Sequence, residues 1–403
     1  MSTSSSRNSF LFFSALLFSA FGYEFIFFIM TLHVYDLSRN PLNIGIFTAL
    51  TFIPRLFSSI MGGIADKLGK GRCLAFSAGI VSILLFIMSC TSDIGQIYTI
   101  WFMTAIFLTF IVNARSGLMA EIVSREKYTS GNAVVLTLLN GAKLLGPLLG
   151  GFIISLYHTR LLIYFTCVIY LLAAAFSIRI KAVSIEASNK TGFLDNAGRG
   201  FSFMLKNHAF GLMSAIAFFW RLFLALQLSL FVIYIKTCLS GSSEQYGVFM
   251  TVLGLGSIAG SLLGPYAAGH LSIKRLITSG LGLHYLSFAA LGFSKSYFLS
   301  LCIIFLSYTV FYLTLVGMHS LRDRITYLDI RSSAYGTVTA VLTPAAIISM
   351  LAGGYLADSF GAAAVLSGAG LLAFLSLCIL LFIGRKVDMS MTSLPAAENS
   401  ESA

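Results

Sequence analysis

Long apolar runs separated by short polar breaks are the dominant pattern along this chain. A run of about 20 apolar residues has the length that an α-helix needs to cross the hydrocarbon core of a bilayer. About twelve such runs occur, at 10–34, 41–65, 73–92, 95–120, 131–157, 160–180, 209–235, 246–270, 276–295, 296–320, 334–358 and 362–384. The pattern predicts an all-α integral membrane protein with about twelve transmembrane helices.

One polar stretch interrupts this series near the middle of the chain. We expect an N-terminal six-helix bundle at 1–180, a linker at 181–208, a C-terminal six-helix bundle at 209–386 and a disordered tail at 387–403. The composition supports the membrane class, because 57% of the 403 residues are hydrophobic and only 10% are charged. A soluble domain of this length could not bury that much apolar surface.

The formal charge of +11 raises the question of a nucleic-acid partner, and the placement of the basic residues answers it. Segments on the N-terminal side of the membrane carry 18 of the 26 Lys and Arg residues, the other side carries 4, and 4 lie within spans. The positive-inside rule then predicts that both termini and the linker are cytoplasmic. We expect a multi-pass protein of the bacterial inner membrane, surrounded by lipid and without a nucleic-acid partner.

A weak internal repeat relates the two halves of the chain. A shift of 202 residues superposes Gly45 on Gly247, and a shift of 203 superposes Gly150–Gly151 on Gly353–Gly354. Parallel repeats of this kind occur in secondary transporters, which bind substrate near the bilayer midplane between the two repeats. The repeat therefore favours a transport function.

The segment MGGIADKLGKGR connects the second and third predicted spans. It resembles the signature loop of the major facilitator superfamily. Gly62, Asp66 and Gly69 match, and Lys67, Lys70 and Arg72 supply the basic tail. The resemblance implies a gating role in which Asp66 packs at the N-terminal end of the eleventh helix, near Ser333–Gly336, where a helix dipole favours an anion. The alternative is an ordinary basic loop that follows the positive-inside rule.

The segment AKLLGPLLGG in the fifth span resembles the antiporter signature of the same superfamily. The residues that match are Gly146, Pro147, Gly150 and Gly151, whereas Ala142 replaces a glycine. A bent helix with small residues on one face allows a neighbouring helix to approach closely. The resemblance implies a gating role and export, and the alternative is helix packing without any bearing on direction.

The resemblance to the superfamily covers essentially the whole chain. Within the superfamily, the loops around YDLSRNPLNIGIFTALTFIPRLF and NARSGLMAEIVSREKYTSGNAV are similar to those of drug and siderophore exporters of the enterobactin- and macrolide-efflux type. This implies two pseudo-symmetric six-helix halves, a cavity lined by helices one, four, seven and ten, and a monomer.

Five charged residues lie away from the ends of the predicted spans. Glu24 is the only carboxylate near the middle of a span, Arg55, Lys143 and Arg221 are the cations near mid-span, and Arg115 lies lower in the fourth span. Each charge at the bilayer centre costs at least ~2.5–3.5 kcal/mol on insertion scales, so each is expected to face a wet interior and a partner. Glu24, Arg115 and Arg221 fall on helices that line the cavity in the family.

We predict that Glu24 is the proton-coupling site. Burial and a neighbouring cation act in opposite directions on the proton affinity of a carboxyl group, and alternating access would exchange one influence for the other. The alternative is a structural salt bridge between Glu24 and Arg55 or Arg221. No cofactor is expected, because the proton gradient would supply the energy.

The excess of cations predicts an anionic substrate. A cavity with a positive potential attracts anions, and arginine suits carboxylates, so we expect a carboxylate-type siderophore or a similar metabolite. Further candidate hydrogen-bonding residues are Tyr23, Asn113, Gln227, Tyr308 and Tyr312. Structural bracing is the alternative for the cations, above all for Arg115.

The leading expectation is a proton-coupled exporter of such an anion across the inner membrane, and three other functions stay open at this stage. Two are transport functions, namely a broad-specificity efflux antiporter of the macrolide type and an importer of siderophore from the periplasm. The third is a membrane-embedded enzyme, which is disfavoured because the chain has no metalloprotease or nucleophile-elbow motif and its cysteines form no metal-ligand spacing.

Overall fold

The computed structural model describes residues 3–123, 128–180, 201–326 and 331–386. Within these ranges the chain is almost entirely helical and contains no β-strand. Eleven of the described helices are long and apolar enough to cross a membrane, or twelve spans if one bent pair is counted as a single span. This confirms the predicted all-α membrane fold. The predicted tail and most of the predicted linker lie outside the described residues.

Seven helices are described in the first half of the chain. These are α1 (Thr3–Ser38), α2 (Pro41–Phe52), α3 (Ser58–Leu68), α4 (Lys70–Ser89), α5 (Ile94–Ile122), α6 (Tyr128–Leu156) and α7 (Thr159–Ser177). A 3₁₀ turn, Ile53–Phe57, separates α2 from α3, and the two parts of this bent pair meet at 65°. The sequence pattern predicts one span at 41–65, and the break has a clear cause. Pro54 lies in the turn, and proline lacks the amide hydrogen that a continuous helix requires.

Six long helices are described in the second half of the chain. These are α8 (His208–Ile233), α9 (Ser243–His270), α10 (Ile273–Phe293), α11 (Tyr297–Ile325), α12 (Arg331–Phe360) and α13 (Ala362–Ile383). A π-helical turn, Tyr234–Cys238, extends α8. Polar residues cap several helix starts: the side chain of Ser272 accepts a hydrogen bond from the Arg275 amide at the start of α10.

Contacts between Cα atoms divide the described chain into two compact units. The first unit lies within 1–188, 228–254 and 350–362, and the second unit comprises the rest of the described chain. The first unit therefore includes two short segments from the second half of the sequence. The predicted bundle limits stay a prediction, because 181–200 lie outside the described residues.

The first unit is built around α1, which packs against α6 and α7, while α4 packs against α5 and α7. In its core, the Trp101 ring stacks on Phe47 with centroids 4.7 Å apart, and the indole Nε1 donates a hydrogen bond to Thr51 Oγ1 at 2.9 Å. Its outer faces carry exposed large apolar side chains such as Phe76 and Phe152. That distribution suits a surface in contact with lipid.

Two close helix crossings in the first unit use the glycines that the sequence repeat relates. Gly45 of α2 lies against Gly354 of α12, and Gly151 of α6 lies against Gly247 of α9. A Cβ atom on any of these four glycines would lie within 2.9 Å of a backbone atom of the opposite helix. The repeat thus marks two equivalent crossings, each between one helix of the first half and one of the second half.

We expect Gly151→Val to lower the melting temperature of the purified protein by several degrees, because the added side chain would force α6 and α9 apart. Overpacking of this kind typically costs about 1–3 kcal/mol. Gly141→Val is the matched control on the same helix, since a Cβ there would meet nothing within 4 Å. Equal melting temperatures for the two variants would show that the crossing is not tight.

Candidate functional site

Four charged side chains of the first unit form a charge cluster, which consists of Glu24, Arg55, Arg115 and Lys143. The charges of Lys143, Arg55 and Arg115 all act on the Glu24 carboxyl group, and that of Lys143 acts most strongly. Each member comes from a different part of the fold: α1, the 3₁₀ turn, α5 and α6. The structure therefore brings together residues that are far apart in sequence.

Glu24 has three cationic neighbours but forms no close ion pair with any of them. In the described part of the chain, the ion pairs closer than 4.0 Å involve Asp36, Asp66 and Glu121, and none involves Glu24. The Glu24 side chain is partly accessible, like those of Arg55 and Arg115, and Lys143 is exposed. No described ion pair within 4.0 Å therefore neutralises the Glu24 carboxylate.

Gly146 is the reason that α6 comes so close to Glu24. A Cβ atom on Gly146 would lie 2.9 Å from the Cβ of Glu24, and one on Gly150 would lie 2.8 Å from the Phe28 ring. Lys143 precedes Gly146 by three residues, which places both on one face of the helix. The small residues of AKLLGPLLGG therefore bring a cation next to the carboxylate. Pro147 lies within α6, and its carbonyl faces the second glycine crossing, at Gly247.

Arg55 is held on both sides of its guanidinium group. Its Nη2 donates a hydrogen bond to the Tyr23 hydroxyl at 3.0 Å, and its Cζ lies 4.2 Å from the centroid of the Phe52 ring, a cation–π contact. The turn created by Pro54 places Arg55 at the bend between α2 and α3. Tyr23 precedes Glu24, so this hydrogen bond connects Arg55 to α1 at the carboxylate.

Asn113 connects α5 to the start of α3. The Ser58 hydroxyl donates to Asn113 Oδ1 at 2.8 Å, and Asn113 Nδ2 donates to the Ser58 carbonyl at 3.0 Å. Both ends of the Asn113 amide are engaged in this way, so its contacts hold α5 against the bend between α2 and α3. Asn113 precedes Arg115 by two residues. Its predicted role in substrate binding stays a prediction.

Tyr170 of α7 is a neighbour of the cluster that sequence reasoning missed. It is fully buried, and its hydroxyl has no hydrogen-bond partner among the described residues. It interacts electrostatically with Arg115 and Glu24. A Cβ atom on Gly22 would lie 3.0 Å from its ring. One tyrosine within an apolar run carries no sequence signal that would distinguish it from 16 others.

The remaining predicted binding residues, Arg221, Gln227, Tyr308 and Tyr312, lie in the second unit. The Tyr308 hydroxyl donates to Gln227 Oε1 at 2.9 Å, and both residues are buried. The Tyr312 ring stacks on Tyr308 with centroids 6.4 Å apart. Tyr308 and Gln227 thus have a packing role in this structure, and a binding role for the four stays a prediction.

The signature loop makes an ion-pair network in which Lys70 is central. Lys70 Nζ lies 3.0 Å from Asp66 Oδ1 and also pairs with Glu121. Gly69, which ends α3, has a φ of +85°, a conformation that favours glycine. A Cβ on Gly62 would meet nothing, and Arg72 is exposed. The expected contact of Asp66 near Ser333–Gly336 involves side chains outside the described set and stays a prediction.

We expect Lys70→Met to destabilise the protein strongly. The Glu121 side chain is only 4% exposed, and removing one partner of a buried ion pair costs about 3–5 kcal/mol. The double variant Lys70→Met/Glu121→Gln should recover most of the lost melting temperature. Lys67→Met, at an exposed position of α3, is the control. An effect of Lys67→Met as large as that of Lys70→Met would contradict the role of the pair.

Among the described residues, no group of three or more His, Cys, Asp or Glu side chains could hold a metal ion. The cluster consists of one carboxylate and three cations within the membrane-spanning part of the first unit.

Comparison with known proteins gives the same class. The chain is 22% identical to an uncharacterized MFS-type transporter, YfiS of Bacillus subtilis (strain 168), over 92% of this chain and 91% of that protein. It is 30% identical to the multidrug resistance protein MdtG of Klebsiella pneumoniae (strain 342), over 33% of this chain and 32% of that protein.

Solved transporter structures share the fold at low sequence identity. The POT family transporter PepTSo superposes with a TM-score of 0.76 at 12% identity, over 94% of this chain and 98% of that chain. The nucleoside transporter NupG superposes with a TM-score of 0.74 at 11% identity, over 94% of this chain and 99% of that chain. The family model of the Major Facilitator Superfamily matches residues 12–321. The chain therefore belongs to the Major Facilitator Superfamily and is a membrane transporter, not an enzyme.

Proposed function

We propose that this protein is a proton-coupled transporter of a small organic anion. Glu24 is the proton-binding group, and Lys143, Arg55 and Arg115 bind the carboxylate of the substrate. The observation that supports this most directly is the charge cluster itself. Three cations act on one carboxylate, and no described ion pair within 4.0 Å includes Glu24.

The composition of the cluster supports a positive sign for the coupling. With Glu24 ionised, one of the three positive charges is offset; with Glu24 protonated, all three act on an incoming anion. An anion therefore binds better when Glu24 carries a proton, and by reciprocity the bound anion favours protonation of Glu24. Positive linkage of this kind means that proton and anion travel together, so an inward proton gradient drives uptake.

Export by antiport is the second candidate function. The antiporter-like segment AKLLGPLLGG and the partial similarity to a protein named as a multidrug resistance protein favour it. In this version the exported solute is a carboxylate-type siderophore or a macrolide-type drug, and proton binding excludes the solute. The two candidates make opposite predictions for the same proton gradient.

A flux assay in proteoliposomes separates the two candidates. Labelled citrate, a hydroxycarboxylate, is the first probe, and uncharged glucose is the matched neutral solute. Under the first candidate, acid outside the vesicles drives citrate accumulation. Faster efflux of preloaded citrate under the same gradient would support antiport, and equal fluxes of citrate and glucose at every gradient would contradict both.

The charge bias of the loops supports the orientation that we propose, with both termini on the cytoplasmic side of a bacterial inner membrane. We also propose that the protein is a monomer. Accessibility of a cysteine introduced at Ser6 to a membrane-impermeant reagent, in intact cells and in inverted vesicles, tests the orientation.

A further inference from the structure

Tyr170 lies beside the charge cluster, on a helix that supplies none of the four members of the cluster. Its side chain is fully buried. A Cβ atom on Gly22 of α1 would lie 3.0 Å from Tyr170 Cε2 and 3.3 Å from Tyr170 Cζ. Cζ carries the hydroxyl group, so the phenol end of the ring packs against α1 two residues before Glu24. The absence of a side chain at Gly22 makes room for it.

The Tyr170 hydroxyl is buried without a hydrogen-bond partner among the described residues. Buried polar groups are nearly always paired, so an exception calls for an explanation. A phenylalanine ring would fill the same space against Gly22 and would avoid the free-energy cost of burying an unpaired hydroxyl group. Packing alone therefore does not account for a tyrosine at this position.

The titratable neighbours of Tyr170 are the residues of the charge cluster and Tyr23. Tyr170 interacts electrostatically with Tyr23, Arg115 and Glu24, in decreasing order of strength. The Tyr23 hydroxyl already accepts a hydrogen bond from Arg55. Arg115 has no ion pair within 4.0 Å in the described part of the chain, and Tyr170 acts on it more strongly than Glu24 does. Arg115 is thus the neighbour that has hydrogen-bond donors to offer to this hydroxyl group.

A guanidinium group has five N–H donors, and a phenol hydroxyl can accept a hydrogen bond, so Arg115 can bind an anion with one edge and donate to Tyr170 from another. We infer that Tyr170 is a positioning residue of the charge cluster, whose hydroxyl accepts a hydrogen bond from Arg115 when the cluster binds an anion. Such a supporting contact orients the binding group and strengthens binding. Because Tyr170 is fully buried, it acts on the anion only through Arg115. This role rests on the proposed function, in which Arg115 binds the carboxylate of the substrate.

Tyr170→Phe removes the hydroxyl group and keeps the ring against Gly22. In proteoliposomes, the citrate concentration for half-maximal exchange should rise about tenfold, the usual effect of losing one hydrogen bond to a charged group, and the maximal exchange rate should stay the same. The melting temperature without citrate should equal or exceed that of the unmodified protein, because an unpaired hydroxyl leaves the interior. Tyr164→Phe, at an exposed position of the same helix, is the matched control and should change neither quantity. An unchanged half-maximal concentration in Tyr170→Phe, or a lower melting temperature together with a lower maximal rate, would overturn the inference.

A double-mutant cycle tests whether Tyr170 acts through Arg115. On the Arg115→Gln background, Tyr170→Phe should change the half-maximal citrate concentration by less than about twofold, because substitutions in two residues that act as one unit are not additive. On the Lys143→Gln background it should still raise that concentration about tenfold, since Lys143 is not among the described groups that interact with Tyr170. Equal losses on both backgrounds would overturn a role through Arg115.

Failure of this role and failure of the proposed function give different results. If citrate binds and Lys143→Gln weakens its binding while Tyr170→Phe does not, the anion site stands and the role of Tyr170 is overturned. If neither citrate nor another carboxylate raises the melting temperature of the unmodified protein, the proposed function and the role of Tyr170 are overturned together.

Discussion

Glu24→Gln is expected to abolish accumulation of the anion driven by a proton gradient, while exchange of labelled for unlabelled anion continues. Glutamine has nearly the shape of a protonated glutamate but cannot release a proton. The three cations of the cluster then stay available to the anion at every pH. In proteoliposomes, anion exchange in this variant should therefore lose the part of its pH dependence that comes from Glu24.

Asp36→Asn is the matched control for this experiment. Asp36 is a second carboxylate on α1, but it is 42% exposed and its nearest cation is Arg39 at 3.9 Å. Exposed pairs of this kind contribute little, so the control should transport like the unmodified protein. Uphill accumulation that persists in Glu24→Gln would remove Glu24 from the coupling mechanism.

Lys143→Gln is expected to weaken anion binding about tenfold to a hundredfold. Lys143 is the cation whose charge acts most strongly on Glu24, so an anion bound in its place would interact with it closely. A hydrogen bond to a charged group contributes about 1.5–3 kcal/mol, and each 1.4 kcal/mol is a factor of about ten in affinity. The measurement is the dissociation constant for citrate by calorimetry.

Lys295→Gln removes the same charge from an exposed position just after α10 and should leave citrate binding unchanged. A neutral solute that the protein also transports should be affected little by Lys143→Gln. An equal loss of affinity for the anion and for the neutral solute would indicate that Lys143 has only a structural role.

The long apolar runs were sufficient to predict the helical membrane fold, because twelve bilayer-length segments leave little choice of architecture. The exception is the second span. Its composition is apolar throughout, but Pro54 breaks it into α2 and α3. A single proline in an apolar run does not show whether the helix bends or stops, since neighbouring helices decide that.

The candidate site could be predicted in part. Charged residues in apolar runs identified Glu24, Arg55, Arg115 and Lys143 as unusual. The role of Gly146 could not be predicted in the same way, since the face of α6 that meets α1 is a property of packing. Glycine there was expected to seal a gate, and it also brings Lys143 to the carboxylate.

Two features were beyond sequence reasoning for a related reason. The Trp220 N–H and the Tyr170 hydroxyl are notable only because they are buried without a described partner, and burial without a partner is visible only once all neighbours are placed. Lys70 and Glu121 are similar: they are separated by 51 residues and become a pair only when α4 packs against α5.

The sign of the proton–anion linkage tests the central claim most directly. Citrate, or another carboxylate that raises the melting temperature of the purified protein, is added to the protein in weakly buffered solution with a pH indicator. The account predicts net proton uptake on binding in the unmodified protein and none in Glu24→Gln. Proton release on binding, or uptake of the same size in both proteins, would contradict it.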